Sequence, residues 1–175
     1  MKKPIYIIVA VDEENGIGKD GKMPWSFRKE LKHFSKITKA TEDPEKTNLL
    51  IMGRNTWESL PDSFKPLPGR RNAVLTRTPE EFDQLENKNA ENYHSFEEAI
   101  TSAGDDTETI FIIGGGQIYK QGLELEDLTG LYLTKVHKTY DCDTFFPQVP
   151  SRFSKQEKLG EDTEDGVRFE YFKIT

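Results

Sequence analysis

Phe111-Ile112-Ile113-Gly114-Gly115-Gly116-Gln117-Ile118-Tyr119 is a buried-strand pattern that runs into three glycines and reopens as a helix. A tight strand-to-helix turn with positive φ accounts for one or two of these glycines. Three in a row also let backbone N–H groups approach a phosphate closely, where a helix amino end adds a field favourable to an anion. The spacing is not GxGxxG, and no Gly-Lys-Ser/Thr follows to make a Walker A loop. Similar strand-then-helix units flank this turn. Residues 5–11 and 49–53 are continuous apolar runs, as expected of strands covered on both faces. Shorter strands are expected at 72–75, 110–113 and 131–136. Helices are expected from Ser26, as a cap, to about Lys39, over 54–60, from the start signal at 78–81, after Ser95 with Glu98 completing a capping box, and over 117–123. The polar tract DQLENKNAENYH (83–94) is weakly patterned, with room for a short strand at its ends. Residues 153–158 and 167–174 read as a terminal hairpin with wet residues between them. The whole is an α/β layout with a mostly parallel sheet and an antiparallel edge. With no Gly/Ser linker and no repeat, it reads as one domain over 1–175.

Composition narrows the function. The 175 residues carry Lys+Arg 24 against Asp+Glu 31, a net charge of -7, with 34% hydrophobic and 31% charged residues. That is enough chain to bury a core unaided. The acidic balance, with no basic tail, argues against nucleic acid as the main partner. The single cysteine, Cys142, makes no internal disulfide, and three histidines offer little for a metal site, so none is expected. The apolar run after Lys2-Lys3 is too short to span a membrane and lacks a small-residue cleavage site. It reads as a first strand, and the protein as cytoplasmic. No extended apolar edge is left over, which favours a monomer. An enzyme or a small-ligand binder remains.

Glu30 is the most informative side chain. Phe27, Leu31, Phe34 and Ile37 form one apolar stripe, and Glu30 points along it. A carboxylate there is either at the stripe's edge, paired with Lys29, Lys32 or His33, or on the floor of an apolar pocket. In a pocket it would read a ligand edge with adjacent N–H donors and manage a proton. Arg54 and Arg77 each follow a presumed parallel strand, at the carboxyl ends where open α/β sheets bind ligands. Together they would make a local basic pocket for a phosphorylated cofactor.

Several pieces in order resemble dihydrofolate reductase of the bacterial chromosomal-like kind. They are IIVAVDEENGIG (7–18), KMPW (22–25) with an acid five residues after Trp25, LLIMGRNTWESL (49–60), PLPGRRN (66–72), IIGGGQIY (112–119), LYLTKV (131–136) and DCDTFFP (141–147). The resemblance implies a central eight-stranded, predominantly parallel twisted sheet with four flanking helices and a C-terminal antiparallel hairpin. It implies transfer of the pro-R hydride from NADPH to C6 of 7,8-dihydrofolate with protonation of N5. The product, tetrahydrofolate, would supply one-carbon metabolism, and antifolates would bind the same site. Glu30 would be the pocket acid, hydrogen-bonding the pterin N3 and 2-amino group. Thr134 would hydrogen-bond Glu30, and Trp25 would hold a bridging water. The substrate walls would be Ile8, Val9, Ala10, Leu31, Phe34, Leu60, Leu67 and Ile113. Arg70, picked out from its neighbour Arg71 by the PLPGR match, would clamp the α-carboxylate of the folate glutamate. Ala10, Ile17 and Gly18 would flank the nicotinamide, with Tyr119 near it and Met23 in a mobile loop closing over it. Gly53, Arg54, Thr56, Leu75, Thr76, Ile113, Gly115, Gly116, Gln117 and Ile118 would hold the rest of NADPH.

The chain departs from the family pattern in two places. Gln117 stands where an arginine often follows the glycines, and Arg77 where a serine is common. Arg54 and Arg77 would then be the pair on the 2′-phosphate. Cys142 replaces a glycine often seen before the loop acid, here Asp143, which with Thr144 would support the mobile loop. The reductase of riboflavin synthesis shares the fold but should lack MPW plus the helix acid. A degenerate pterin- or nucleotide-binding protein should have lost Glu30, the glycine triplet or Arg70, and all are present.

Overall fold

The computed structural model describes residues 2–78, 80 and 90–175. Most of the helix start and polar tract expected over 78–94 lies outside the described residues. Among the described residues ten strands form: β1 (Ile5–Val11), β2 (Gly16–Gly18), β3 (Thr47–Gly53), β4 (Arg71–Leu75), β5 (Glu91–Tyr93), β6 (Thr107–Ile112), β7 (Gly130–Val136), β8 (Thr144–Phe145), β9 (Gln156–Glu164) and β10 (Val167–Ile174). Four α-helices accompany them among the described residues: α1 (Arg28–Lys39), α2 (Arg54–Ser59), α3 (Phe96–Thr101) and α4 (Gly116–Leu123). The main sheet has eight strands in the order β5-β4-β3-β6-β1-β7-β10-β9. β5 to β7 in that order run parallel, and β10 pairs antiparallel with both β7 and β9.

Alternation along the central strands explains their unbroken apolar runs, because both faces are covered. Ile5, Ile7, Val9 and Val11 join Leu49, Ile51, Ile110 and Ile112 in a core that includes Phe96 and Ala99 of α3 and Leu123 of α4. Ile8, Leu50, Met52, Val74 and Phe111 face the other way, onto Trp57 of α2 and Phe34 and Ile37 of α1. β6 is inserted between β1 and β3, so the chain reverses its direction of travel at β1, and the carboxyl ends of these strands open a crevice.

Three local expectations are corrected. Ser26 does not cap α1: the residue at the cap position is Phe27, with no side-chain cap bond. The amides of Arg28 and Lys29 instead donate to Glu164 Oε2 (2.8 Å) and Oε1 (3.0 Å), a carboxylate reaching in from the far end of β9. The terminal hairpin is also longer than 153–158 paired with 167–174. Residues up to Glu164 belong to β9, an edge strand dressed in charge, and the turn is Asp165-Gly166 with φ of 52° and 76°. Two positive φ values in a two-residue loop match the strand twist, which is why Asp-Gly sits there. The short antiparallel pair β2–β8 was not foreseen. By contrast Ser95 caps α3 as expected, accepting from the Glu98 amide at 3.2 Å, while Glu98 accepts from His94 N–H at 2.9 Å.

Glu164→Ala removes the cap of α1 from both amides. A loss of about 1 kcal/mol in urea unfolding is expected. A variant as stable as wild type would show that water satisfies that helix end equally well.

Candidate active site

A cleft of about 710 Å³ lies along the carboxyl edge of the sheet. Ala10 and Val9 of β1, Gly53 closing β3, Leu75 closing β4 and Ile113 just past β6 supply its floor. Arg54 and Thr56 enter from α2, Gly115, Gly116, Gln117, Ile118 and Tyr119 from the glycine turn and α4, and Thr76 and Arg77 from beyond β4. Ile17, Gly18 and Met23 close it from the loop after β1. Every residue expected to hold the cofactor therefore lines one cavity. Gly114, the first of the three glycines, lines it with the other two, and Gly21, Lys22, Asn55, Ser59, Thr78 and Thr144 line it as well and were not foreseen, since none of these six carries a distinctive spacing.

Two helix amino ends meet at one end of this cleft. α2 begins after Gly53 and α4 after Gly115, and neither has a side-chain cap. Their first amides have no acceptor within the helix, so both amino ends offer donors to the same cleft. The glycines also allow close packing of the two turns. Gly53 N–H donates to Gly114 O at 2.8 Å, and a Cβ on Gly53 would stand 2.9 Å from Ile118 Cγ1. Gly114 has φ of 119°, outside the range of ordinary side chains. Arg54 spends its Nε on Glu58 Oε1 at 2.9 Å, whereas Arg77 is exposed at the cleft rim.

β1 and β6 pair from Ile5–Ile110 to Ile7–Ile112 and then part. The Tyr119 hydroxyl lies in that gap, 2.8 Å from Ile8 O and 2.9 Å from Ile113 O. Its ring lines the cleft, but its hydroxyl is committed to these carbonyls. Burial pushes its proton affinity up, with the charge of Glu30 adding to that, so it stays a neutral donor.

Glu30 is 8% exposed and has no cationic partner among the described residues, so neither Lys29, Lys32 nor His33 neutralises it. Burial raises its pKa to about 7, against which a hydrogen bond from Thr134 works in the lowering direction. Thr134 lies opposite Ala10 across the β1–β7 ladder, placing Glu30 one strand from the cleft floor. Trp25 is buried nearby in the fold's third apolar cluster, with Phe27, Val136, Phe169 and Tyr171. Its indole N–H is buried and makes no hydrogen bond among the described residues. Leu31 departs from the stripe reading: Glu30 and Thr38 are the buried residues of α1, while Leu31 is 53% exposed. The apolar stripe is thus rotated toward Glu30.

Phe34, Leu60, Leu67 and Ile113 pack partly buried around Ile8 and Trp57, forming a wall on the α1 side of the sheet. At the edge of this wall the two neighbouring arginines divide. Arg71 is bidentate on Glu91 (2.9 and 2.6 Å) and also donates to Thr107 Oγ1 at 3.0 Å. Arg70 is buried, held by Pro68 O (3.0 Å) and Thr38 Oγ1 (2.9 Å), and lies 6.0 Å from the Phe34 ring. Among the described residues no carboxylate pairs with it, and burial lowers its pKa.

The loop after β1 is tied to the segment after β7. Asp143 N–H donates to Gly18 O (2.9 Å), and Asp143 Oδ2 accepts from Asp20 N–H (3.0 Å). Thr144, expected to make a parallel bond to the loop, instead turns its hydroxyl to Asp143 Oδ1 at 3.1 Å. Its backbone is the partner of Gly18 in the β2–β8 pair. Asp20-Gly21 is a tight turn with φ of 50° and 78° that projects Lys22 and Met23 to the cleft. Met23 is half exposed there. Among the described residues no three His, Cys, Asp or Glu side chains cluster as a metal site, and no helix is long and apolar enough to cross a membrane.

Comparison with known proteins agrees with this geometry. The dihydrofolate reductase family model matches residues 4–175. The chain is 40% identical over 172 residues to a dihydrofolate reductase of Drosophila melanogaster, covering 94% of this chain and 93% of that protein. It is 35% identical over 186 residues to a dihydrofolate reductase of Aedes albopictus, covering 97% and 95%. Bifunctional dihydrofolate reductase-thymidylate synthase 1 of Arabidopsis thaliana is 38% identical over 174 residues, which cover 96% of this chain and 33% of that longer protein. A family model that matches residues 4–175, with relatives 40% and 35% identical over more than nine-tenths of both chains and a sheet of this order, places the chain in the dihydrofolate reductase family.

Proposed function

We propose that this chain reduces 7,8-dihydrofolate to 5,6,7,8-tetrahydrofolate with NADPH, feeding one-carbon metabolism. The observation that carries the reading is Glu30, a buried carboxylic acid with no cationic partner among the described residues, set one strand from the cleft floor. With a pKa near 7 it is divided between acid and carboxylate at neutral pH, the condition best suited to accepting and releasing a proton. Its oxygens suit adjacent N–H donors such as the pterin N3 and 2-amino edge, and the diamino edge of an antifolate would meet the same acid. The Trp25 N–H, buried and without a hydrogen-bond partner among the described residues, suits the water that would pass a proton toward N5. Thr134 fixes the orientation of the acid.

The residues present fit a phosphorylated dinucleotide. Two uncapped helix amino ends suit its pyrophosphate, and the exposed Arg77 suits a further phosphate at the rim. When bound, NADPH supplies the hydride. Ala10, Ile17, Gly18 and Met23 would exclude water around the nicotinamide, while Tyr119 holds the carbonyls of Ile8 and Ile113 in place. Phe34, Leu60, Leu67 and the exposed Leu31 would enclose the substrate, and Arg70 would take its carboxylate. Of the large exposed apolar side chains Met23 lines the cleft and Leu31 would enclose the substrate, and the N-terminal apolar run is spent as β1, so we further infer a cytoplasmic monomer.

The direct test is loss of absorbance at 340 nm when enzyme, NADPH and dihydrofolate are mixed. Consumption dependent on both supports the reading; a folded protein that binds NADPH but consumes nothing rejects it. Arg77→Ala carries a separate expectation, because Arg54 is already shared with Glu58. The preference for NADPH over NADH in kcat/KM should fall by about tenfold or more. An unchanged ratio would take Arg77 off the phosphate.

A further inference from the structure

Asp12 follows β1 directly and is 1% exposed, yet it does not line the cleft, and neither the acid nor the anion end of the site uses it. Its two oxygens serve two different segments. Oδ1 accepts from Gly16 N–H at 2.7 Å and Glu14 N–H at 2.9 Å. Oδ2 accepts from Tyr140 N–H at 3.0 Å and faces Cys142 Sγ at 3.6 Å. Burial alone would push its pKa up, but the amides of Tyr140, Gly16 and Glu14 outweigh that and hold it below the usual carboxylate value. The segments it joins are in tight contact: a Cβ on Gly16 would lie 2.5 Å from both Cβ and Sγ of Cys142. Both lead straight into the β2–β8 pair, whose Ile17, Gly18 and Thr144 line the cleft.

We propose that Asp12 is a positioning residue whose carboxylate clasps residues 13–16 to residues 140–142 and so sets the seat of the β2–β8 wall against the bound cofactor. This rests on the cleft being the NADPH site. Only an ionised carboxylate does the task, because it accepts on both oxygens. An amide at this position has one accepting and one donating end, so it must face one of the two segments donor to donor. The bonds that Asp12 accepts from Gly16 and Tyr140 join a charge to a buried and a part-buried amide, and losing either releases one side of the wall.

Asp12→Asn is the test, read in two ways. Trypsin applied to the free protein should cut at Lys19 or Lys22, in the turn that continues from β2, about tenfold faster or more than in wild type. NADPH titrated against protein fluorescence should show a Kd raised by a similar factor, with the KM for dihydrofolate moved far less. A generally weakened fold would raise cutting at all lysines and both constants together, and that outcome, or an NADPH Kd within twofold of wild type, overturns the proposal. If the variant does not fold, amide exchange in wild type decides the matter. Protection at Gly16 and Tyr140 should rise together when NADPH is added, and unchanged protection at both would overturn it. Wild type that fails to bind NADPH would reject the cofactor reading instead, leaving the trypsin comparison to judge the clasp alone.

Discussion

Glu30→Gln should lower kcat at pH 7 by about a hundredfold or more, the range that a positioned acid or base contributes, and should make the protein more stable. The first effect follows from removing the proton carrier while keeping the shape and the bond to Thr134. Activity should recover in part toward pH 5, where the substrate arrives protonated. The second effect follows from the raised pKa. Between the ordinary carboxyl value of 4.5 and the folded value of about 7, the folded state holds more protons than the unfolded chain. Stability conferred by the protonated acid is therefore complete below 4.5 and is lost as pH rises through 7. Above pH 7 the wild type carries the full cost of a buried charge, at most about 3 kcal/mol, and Gln does not. Urea unfolding at pH 5 and pH 8 should show the variant's advantage widening with pH. Equal stability at both values would mean that Glu30 is solvated, and full activity at neutral pH would remove it from the chemistry.

The second large effect belongs to Arg70. Its guanidinium is buried, braced by Thr38 and Pro68, and meets no carboxylate among the described residues, so a carboxylate arriving with substrate would find a prepaid, oriented partner. Arg70→Ala should raise the KM for dihydrofolate about a hundredfold, with kcat changed much less, because the contact is equally present in ground and transition states. Arg70→Lys should recover little, since a lysine cannot span two oxygens and Thr38 together. Arg71→Ala should behave in the opposite way, lowering stability by stranding Glu91 while leaving KM near wild type. Steady-state kinetics on the three variants separates these roles. If Arg71→Ala raised KM and Arg70→Ala did not, the two arginines would have to exchange places.

How far residues betray their place depends on whether their signal is local. β1 is legible to the residue because an apolar run bounded by charge can only be a doubly covered strand here. The glycine turn is legible because three small residues after such a strand exceed what a turn needs. Glu30 stands out because helix periodicity makes a buried acid visible. Leu31 shows the limit of the same periodicity: a stripe of width two residues does not tell which member faces the sheet, and the structure turns Glu30 inward instead. The cap of α1 is illegible because its carboxylate lies 136 positions away, and no local pattern announces a cap from another element. Asp12 hides for a related reason, since an acid after a strand looks like an ordinary boundary until Tyr140 is brought beside it. The 156–164 strand is disguised by its charges, which an exposed edge strand carries to resist pairing with other chains.

The reach of Glu164 to α1 also bears on how the enzyme comes into being. The helix that presents the acid has its amino end satisfied only by a residue synthesised far later, and Thr134 rests on a ladder completed by β10. A nascent chain emerging from the ribosome can therefore pack Phe34 and Ile37 of α1 on the early strands, but the amino end of that helix stays uncapped until the last hairpin is available, and any fragment ending before residue 164 lacks the clamp altogether. The amino end of the helix that carries the buried acid is thus completed last, by the closing of the final hairpin.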